Sequence, residues 1–188
     1  MRIITGRAKG IRLNPPKNYD IRPMADRVKG SVFNIIGTLM EGAEVVDLFA
    51  GTGNVGLECW SRGAAAVTFI DMSKGALRLV RSNIAKCHAE ADCTVIKGNT
   101  IQVVESLSKA GKRYDFAFCD PPYNKGLVQA VVAVLAKNPF IKPGGYMVVE
   151  HSAHDPLPDF PEGYELVRNK IYGETIIDFV YYNNKQEK

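Results

Sequence analysis

The chain has 188 residues, which is the size of one ordinary domain and leaves little room for a second. Hydrophobic residues make up 46% of it and charged residues 23%, the fractions of a globular protein. No apolar run approaches the roughly 20 residues needed to span a bilayer, and the charged first residues lack the apolar block of a secretion signal. These features exclude a membrane-spanning protein and predict a cytoplasmic one.

The net charge of +4 is unevenly distributed along the chain. Residues 1–30 contain eight basic and two acidic side chains, a net charge of +6, so the remaining residues sum to −2. A basic segment on a slightly acidic body is typical of a protein that binds a polyanion. Chance clustering of solvated charges is the alternative that charge alone leaves open.

The predicted elements begin with the basic segment and a helix near 26–39, after which strands and helices alternate. That alternation is typical of an α/β fold with a parallel sheet. Two last apolar runs, at 164–171 and 175–182, are joined by a tight turn and predict an antiparallel pair at one edge. The other strands are predicted at 44–49, 65–71, 93–97, 114–119 and 145–150, and the other helices at 55–62, 74–88, 101–110 and 126–137.

A glycine-rich segment follows the first of these strands. Gly51, Gly53 and Gly56 have the G-x-G-x-x-G spacing that lets a nucleotide approach the backbone. Asp71 ends the next strand, where an acid accepts hydrogen bonds from ribose hydroxyls. Asp47, inside the first strand, suits a cationic group such as the ammonium of S-adenosylmethionine and offers nothing to a pyrophosphate. The loop alone also fits NAD, FAD or a tight turn without a ligand.

The segment Asp120-Pro121-Pro122-Tyr123 follows the fourth predicted strand. Its two prolines fix the backbone and leave carbonyl acceptors, Asp120 adds carboxylate acceptors, and Tyr123 offers a flat face for stacking. Hydrogen bonds accepted from both N–H groups of an exocyclic amine would aim its nitrogen at a methyl donor and stabilise the charge that develops there. Because parallel strands end at one rim of a sheet, we expect this segment beside the glycine loop. The sequence therefore predicts a methyltransferase that acts on the amino group of a base.

Four cysteines, Cys59, Cys87, Cys93 and Cys119, lie at irregular spacings, and we expect them to be reduced thiols. Cys87-His88 together with Cys93 lacks a further ligand at the spacing of known zinc sites, so no metal site is expected.

Taken together, these residues resemble the RsmD-type 16S ribosomal RNA guanine-N2 methyltransferases. The resemblance covers nearly the whole chain, and its most specific part is the block Ile21-Arg22-Pro23 with Asp26-Arg27-Val28. It also includes 148–151 and 172–175, while Lys29-Gly30 departs from the family's usual residues. The resemblance implies a Rossmann-like, class I methyltransferase fold with a mostly parallel seven-stranded sheet. It implies a single domain over 1–188, with a basic RNA-binding extension over 1–40 and a catalytic core over 41–188.

The resemblance also implies which residues act. The cofactor would be S-adenosyl-L-methionine, leaving as S-adenosyl-L-homocysteine, with no metal ion. The substrate would be 16S rRNA, within the small ribosomal subunit or its assembly intermediate, and the enzyme a monomer. The target guanine would be held by Asp120, Pro121, Pro122 and Tyr123. The cofactor would be bound by Asp47, Phe49, Ala50, Gly51, Thr52, Gly53, Asp71, Met72, Asn99 and Asp120. The RNA would be bound by Arg2, Arg7, Lys9, Arg12, Arg22 and Arg27.

Other functions fit parts of the sequence. An adenine-N6 methyltransferase acting on DNA or RNA fits the Asp-Pro-Pro-Tyr motif, which does not itself name the base, although a DNA enzyme usually needs a separate target-recognition region. A methyltransferase of proteins or small molecules would not need the basic segment. A nucleotide-dependent oxidoreductase has no evident use for Asp-Pro-Pro-Tyr, and a non-catalytic RNA-binding module would need no cofactor.

Overall fold

The computed structural model of the chain describes residues 1–16, 24, 26–123, 125–155 and 157–183. Every predicted helix and strand is present in it. The largest difference is at the fifth strand, which begins at Ile141 because that residue already pairs with Tyr114 ahead of a register shift. The helices are α1 (Asp26–Ile36), α2 (Asn54–Ser61), α3 (Lys74–Cys87), α4 (Thr100–Lys109) and α5 (Leu127–Lys137). The strands are β1 (Glu44–Asp47), β2 (Ala66–Asp71), β3 (Cys93–Lys97), β4 (Tyr114–Cys119), β5 (Ile141–Ser152), β6 (Tyr164–Tyr172) and β7 (Thr175–Tyr182).

The strands form one seven-stranded sheet in the order β3-β2-β1-β4-β5-β7-β6. β2 pairs in parallel with β1 and β3, and β4 pairs in parallel with β5. β7 is antiparallel to both β5 and β6. The predicted mostly parallel sheet with an antiparallel edge is confirmed.

By its internal contacts the chain divides into two compact units, Met1–Asn99 and Thr100–Lys188. The first unit holds β1 to β3 with α1 to α3, and the second holds β4 to β7 with α4 and α5. The division into a 1–40 extension and a 41–188 core stays a prediction.

Local signals explain several element ends. The Ser73 side chain accepts a hydrogen bond from the Ala76 amide, so it caps α3 as its position before the helix predicts. β1 and β4 are almost wholly buried, which is why they appear in the sequence as unbroken apolar runs.

Within the ranges described above, no helix is long and apolar enough to cross a membrane.

Candidate active site

The glycine loop of the first unit has the conformation that its sequence predicts. Gly51 has φ +52° and Gly53 has φ +76°, a region that side chains other than glycine rarely adopt. Gly56 serves a different purpose, because a Cβ there would lie 2.3 Å from Cε1 of Phe69 on β2. The first two glycines therefore shape the turn, and the third allows α2 to pack closely on the sheet.

Asp47 is buried, with 4% of its surface exposed, and its carboxylate faces the start of α2. Oδ2 accepts a hydrogen bond from the Gly56 amide at 3.2 Å, which supplies a cap that Gly53 at the N-cap position cannot provide. Burial raises the pKa of Asp47 from its ordinary 3.8 to about 7, although the hydrogen bond from Gly56 opposes that shift. A cation placed beside this carboxylate would restore its ionised form.

Asp71 ends β2 and holds two backbone amides with its two oxygens. Oδ2 accepts from the Gly51 amide at 2.9 Å, and Oδ1 accepts from the Ser73 amide at 2.8 Å. A carboxylate can accept about four hydrogen bonds, so each oxygen keeps capacity for a hydroxyl donor. Asp71 thus ties the glycine loop to the end of β2 and remains suited to bind a ribose.

The other predicted cofactor residues of the first unit differ in exposure. Ala50 and Thr52 are buried, Phe49 is half-buried, and Met72 and Asn99 are exposed. Sequence reasoning missed Asn83 of α3, which is fully buried and donates from Nδ2 to the Thr52 carbonyl at 2.9 Å. A buried asparagine on the apolar face of a predicted helix is the signal that could have found it.

The first residues of the chain do not extend freely; residues 5–8 dock on α2 through Ser61, and Asn14 bonds to Asn83 of α3. The Ser61 carbonyl accepts from the Arg7 amide at 2.8 Å, and its hydroxyl donates to the Thr5 carbonyl at 2.6 Å. The fit is so close that a Cβ on Gly6 would lie 1.7 Å from the Ser61 carbonyl oxygen. Residues 1–16 of the basic segment are therefore held on a fixed support.

A buried charged cluster joins this segment to α1 and α2. Lys29 and Glu58 are fully buried and form an ion pair at 3.1 Å. Lys29 also donates to the carbonyl of Arg2 and to Oδ1 of Asn54, each at 2.7 Å, so all three ammonium donors are used. Burial lowers the pKa of Lys29. Glu58 in turn accepts from Arg62 Nε at 2.8 Å and from two amides of the docked segment.

Sequence reasoning counted Lys29 among the charges of the basic segment and missed this role. Its position was nevertheless informative, since Lys29, Val32, Phe33 and Ile36 all lie on the buried face of α1 at helical spacing. The charge of +6 over residues 1–30 therefore includes one cation that is neutralised inside the fold.

The predicted RNA-binding residues fall into three groups. Arg7 is engaged within the chain, donating to the Trp60 carbonyl, lying 4.0 Å above the Trp60 ring and 3.5 Å from Asp92. Arg22 lies outside the described residues. The remaining four have exposed side chains: Arg2, Lys9, Arg12 and Arg27.

Two of the exposed arginines line an open cleft of about 450 Å³. Arg2 and Arg27 are on its wall, and Arg2 also pairs with Arg12 in an antiparallel bridge. Like charges directly opposite each other across a bridge repel in the absence of an anion. The other residues that line the cleft are Ile4, Asp26, Gly30, Ser31 and Asn34.

In the second unit, Asp120-Pro121-Pro122-Tyr123 directly follows β4, as predicted. Asp120 is half-buried, Pro121 is buried, and Pro122 is exposed. The Tyr123 hydroxyl donates to Glu150 Oε1 at 2.8 Å and lies 3.2 Å from Thr175 Oγ1. Desolvation raises the pKa of Tyr123 to about 12, with Glu150 adding to the shift and Thr175 opposing it. The phenol is therefore a hydrogen-bond donor at any physiological pH.

His151 and Asp178 form a second polar pair that sequence reasoning did not assign. His151 Nε2 lies 2.7 Å from Asp178 Oδ2, and both side chains are buried. His151 Nδ1 lies 3.0 Å from the Ser152 carbonyl oxygen and 2.8 Å from the Asp155 carbonyl oxygen, so the ring links Asp178 to the turn after β5. The pair therefore fixes the turn that ends β5.

The four cysteines are free thiols, and burial raises the pKa of Cys93 to about 12. Among the residues that the structure describes, no group of three or more His, Cys, Asp or Glu side chains is arranged to hold a metal ion.

The strand order, the glycine loop after β1 and the Asp-Pro-Pro-Tyr segment after β4 define the class of the protein: an α/β protein with the Rossmann-like methyltransferase fold. Comparison with solved structures agrees. An Escherichia coli structure described as "Putative methyltransferase yhhF" is 30% identical with a TM-score of 0.86, over 97% of this chain and 98% of that one. An RNA methyltransferase from Salinibacter ruber, solved in complex with S-adenosyl-L-homocysteine, shares the fold with a TM-score of 0.66 at 13% identity, over 87% and 95% of the two chains.

Sequence comparison defines the family. The family model described as Conserved hypothetical protein 95 matches residues 1–181. Ribosomal RNA small subunit methyltransferase D of Escherichia coli is 31% identical over 175 residues, which cover 93% of this chain and 86% of that protein. The chain belongs to the Conserved hypothetical protein 95 family, the RsmD family of the resemblance above.

Proposed function

We propose that the protein transfers a methyl group from S-adenosylmethionine to the exocyclic N2 of a guanine in 16S rRNA. The observation that carries the proposal is the Asp120–Tyr123 segment after β4, in a chain whose relatives are ribosomal RNA methyltransferases. Its acceptors and its tyrosine suit an amino group attached to an aromatic ring. The choice of guanine over adenine follows the family resemblance.

On the cofactor side, each proposed contact uses a group with the matching chemistry. Asp47 would face the methionine ammonium, whose charge compensates a carboxylate that burial otherwise keeps protonated near neutral pH. Asp71 would accept from the ribose hydroxyls while keeping its amide partners. Asn99 is proposed to lie near the adenine, with Met72 beside it. When bound, the cofactor supplies an electrophilic methyl group on sulfur.

On the acceptor side, Asp120 and the Pro121 carbonyl would each accept one N–H of the guanine amine. Both bonds direct the nitrogen lone pair out of the ring plane and stabilise the positive charge that develops on the nitrogen. The nitrogen forms a bond to the methyl carbon as the carbon–sulfur bond breaks, and one N–H proton leaves along the hydrogen bond to Asp120. Tyr123 would stack on the base, a contact worth about 1–3 kcal/mol in single-strand binders. The base has to leave any stack to reach this segment.

RNA would meet the first unit at the docked basic segment. Arg2, Arg12 and Arg27 present guanidinium groups on a fixed support, and a phosphate would relieve the repulsion between Arg2 and Arg12. Lys9 is exposed on the same segment, whereas Arg7 is already occupied by Trp60 and Asp92. We extend the proposal to the small ribosomal subunit or its assembly intermediate as the partner, to a cytoplasmic location and to a monomeric enzyme.

The catalytic part of the proposal is tested by Asp120→Ala and Asp120→Asn. We expect methyl transfer to RNA to fall roughly 100- to 1000-fold, the usual effect of removing a group that stabilises developing charge. Binding of S-adenosylmethionine, measured by calorimetry, should fall far less than methyl transfer, because Asp120 is one of ten predicted cofactor residues but holds one of the only two N–H groups of the acceptor amine. Loss of transfer and of cofactor binding in equal measure would contradict this assignment. RNA binding without any transfer by the unaltered protein would favour a binding module instead.

The RNA part is tested by the salt dependence of binding. Arg27→Ala should weaken binding to 16S rRNA and lower the slope of log K against log salt by about 1. Lys109→Ala, an exposed lysine at the end of α4, is the matched control and should leave the slope unchanged. If both variants behaved alike, the RNA surface would lie elsewhere.

A further inference from the structure

The Tyr123 hydroxyl makes two hydrogen bonds whose directions are fixed by proton count. A phenol has one proton and a carboxylate only accepts, so the bond of 2.8 Å runs from Tyr123 to Glu150. The contact of 3.2 Å with Thr175 Oγ1 then runs the other way, with the threonine hydroxyl donating to the phenol oxygen. Both partners come from strands distant in sequence, β5 and β7.

The strand register explains why these two side chains meet. In the antiparallel pair of β5 and β7, Glu150 is opposite Ile177 and Ser152 is opposite Thr175. Opposed residues share a sheet face, and so do residues two apart along a strand, so Glu150 and Thr175 lie on one face as diagonal neighbours.

His151 lies on the other face of the same strands. Val149 is opposite Asp178, so Asp178 is the diagonal neighbour of His151 there, and the two side chains meet at 2.7 Å. The buried pair thus fixes the end of β5 from behind the strand. Glu150 is therefore presented to Tyr123 by a strand that is held on both of its faces.

We propose that Glu150 and Thr175 are positioning residues that act through Tyr123, holding its ring in one plane so that the ring face is ready to receive the acceptor base. A phenolic O–H lies in the plane of its ring, because the oxygen lone pair conjugates with it. A fixed acceptor for that O–H therefore sets the rotation of the ring as well as the position of its tip. The ring then need not be ordered when the base arrives, which removes an entropic cost from binding and alignment.

This inference rests on the proposed function, since it assigns the tyrosine to the base. The inference also goes beyond the proposed function, because neither Glu150 nor Thr175 contacts the base in the proposed arrangement. Each is expected to matter only as long as the Tyr123 hydroxyl is present. That dependence can be measured.

The experiment is a double-mutant cycle of Tyr123→Phe and Glu150→Ala, followed by methyl transfer to RNA. Each single change should lower kcat/KM for RNA about tenfold while the cofactor Kd stays the same. The double variant should be no worse than either single one, because both remove the same hydrogen bond. Independent effects that multiply to about a hundredfold, or a Glu150→Ala protein as active as the unaltered one, would overturn the proposal.

Conservative variants separate positioning from a loss of structure. Glu150→Gln keeps an acceptor oxygen and should recover most of the activity lost in Glu150→Ala. Thr175→Ser keeps the hydroxyl that donates to Tyr123 and should exceed Thr175→Val. Glu165→Ala, an exposed carboxylate on β6, is the control and should match the unaltered protein. If Glu150→Ala fails to fold, Glu150→Met, which has a side chain of similar length but no acceptor oxygen, takes its place in the cycle with Tyr123→Phe. Failure of Glu150→Gln to exceed a folded Glu150→Ala would count against the proposal.

A readout without catalysis distinguishes failure of this inference from failure of the proposed function. NMR of selectively labelled tyrosine reports how fast the Tyr123 ring flips. The flip should be faster in Glu150→Ala than in the unaltered protein or the Glu165→Ala control. In a protein that methylated no RNA, a faster flip would still support the positioning, and an unchanged flip would overturn it.

Discussion

The glycine loop of the first unit and the Asp-Pro-Pro-Tyr segment of the second each follow a buried parallel strand, yet they are held in different ways. The acids of the first, Asp47 and Asp71, bind backbone amides 9 and 20 residues away. The tyrosine of the second is held by side chains 27 and 52 residues away. In the glycine loop the donors are backbone amides, which no substitution except proline removes. Around Tyr123 both partners are side chains, and each of them can be substituted separately.

The difference has a consequence for mutation. Substitutions around the glycine loop should act first on stability or cofactor affinity, because they disturb helix caps and close packing. Substitutions around Tyr123 should act on turnover while the protein stays folded. The three predictions below test the first half of that contrast, and the double-mutant cycle above tests the second.

The largest expected effect is at the buried charged cluster behind the glycine loop. Lys29→Met removes one partner of an ion pair whose members are both fully buried, and leaves the Glu58 carboxylate short of a counter-charge. We expect the free energy of unfolding to fall by about 3 kcal/mol, measured by urea denaturation. Lys74→Met, at the exposed start of α3, should stay within about 0.5 kcal/mol of the unaltered protein. An equal loss of unfolding free energy in the two variants would mean that the buried Lys29–Glu58 ion pair does not stabilise the fold.

Close packing at the third glycine gives the next largest effect. In Gly56→Ala the new Cβ would lie 2.3 Å from Phe69 Cε1, so either the buried Phe69 ring or α2 has to shift. We expect a loss of about 1–3 kcal/mol of unfolding free energy. Gly75→Ala is the matched control, because the nearest atom there, Ser73 Oγ, is 3.5 Å away and alanine favours a helix. A loss at Gly75 as large as at Gly56 would show that packing against Phe69 is not the cause.

The smallest expected effect is a change of cofactor affinity with pH, which we attribute to Asp47. Its pKa is raised to about 7, so a cationic ammonium would bind the ionised carboxylate and displace a proton. Affinity for S-adenosylmethionine, measured by calorimetry, should rise about tenfold between pH 6 and pH 8. Asp47→Asn should remove that dependence, and an unchanged pH profile in this variant would place the ammonium elsewhere.

The same raised pKa has the opposite sign for stability. The folded protein keeps a proton on Asp47 that the unfolded chain, with an ordinary pKa of 3.8, has released. The contribution of Asp47 to stability is therefore fully present below pH 4 and is lost as the pH rises through about 7.

Most of the fold could be predicted from the sequence because its signals are local. The cap at Ser73, the turn before Thr175 and the apolar run of β4 each depend on neighbours along the chain. The motifs Gly51–Gly56 and Asp120–Tyr123 were found for the same reason. Their predicted places after β1 and β4 are confirmed.

The partners of Tyr123 could not be predicted in this way. Glu150 lies beside the segment after β4 because β5 pairs with β4 in one register, with Val149 opposite Cys119, and a shift of one residue would send Glu150 to the opposite face. Lys29 was misjudged for a related reason, since a lysine in a basic segment is usually solvated. Only its place on the buried face of α1 indicates otherwise.

The most direct test of the central claim is mass spectrometry of 16S rRNA nucleosides from small subunits incubated with the purified protein and methyl-labelled S-adenosylmethionine. RNA that lacks the modification, taken from cells without the gene, should gain labelled N2-methylguanosine at one position, and Asp120→Ala should add none. Label in N6-methyladenosine, or none in any RNA nucleoside while the cofactor still binds, would contradict the account.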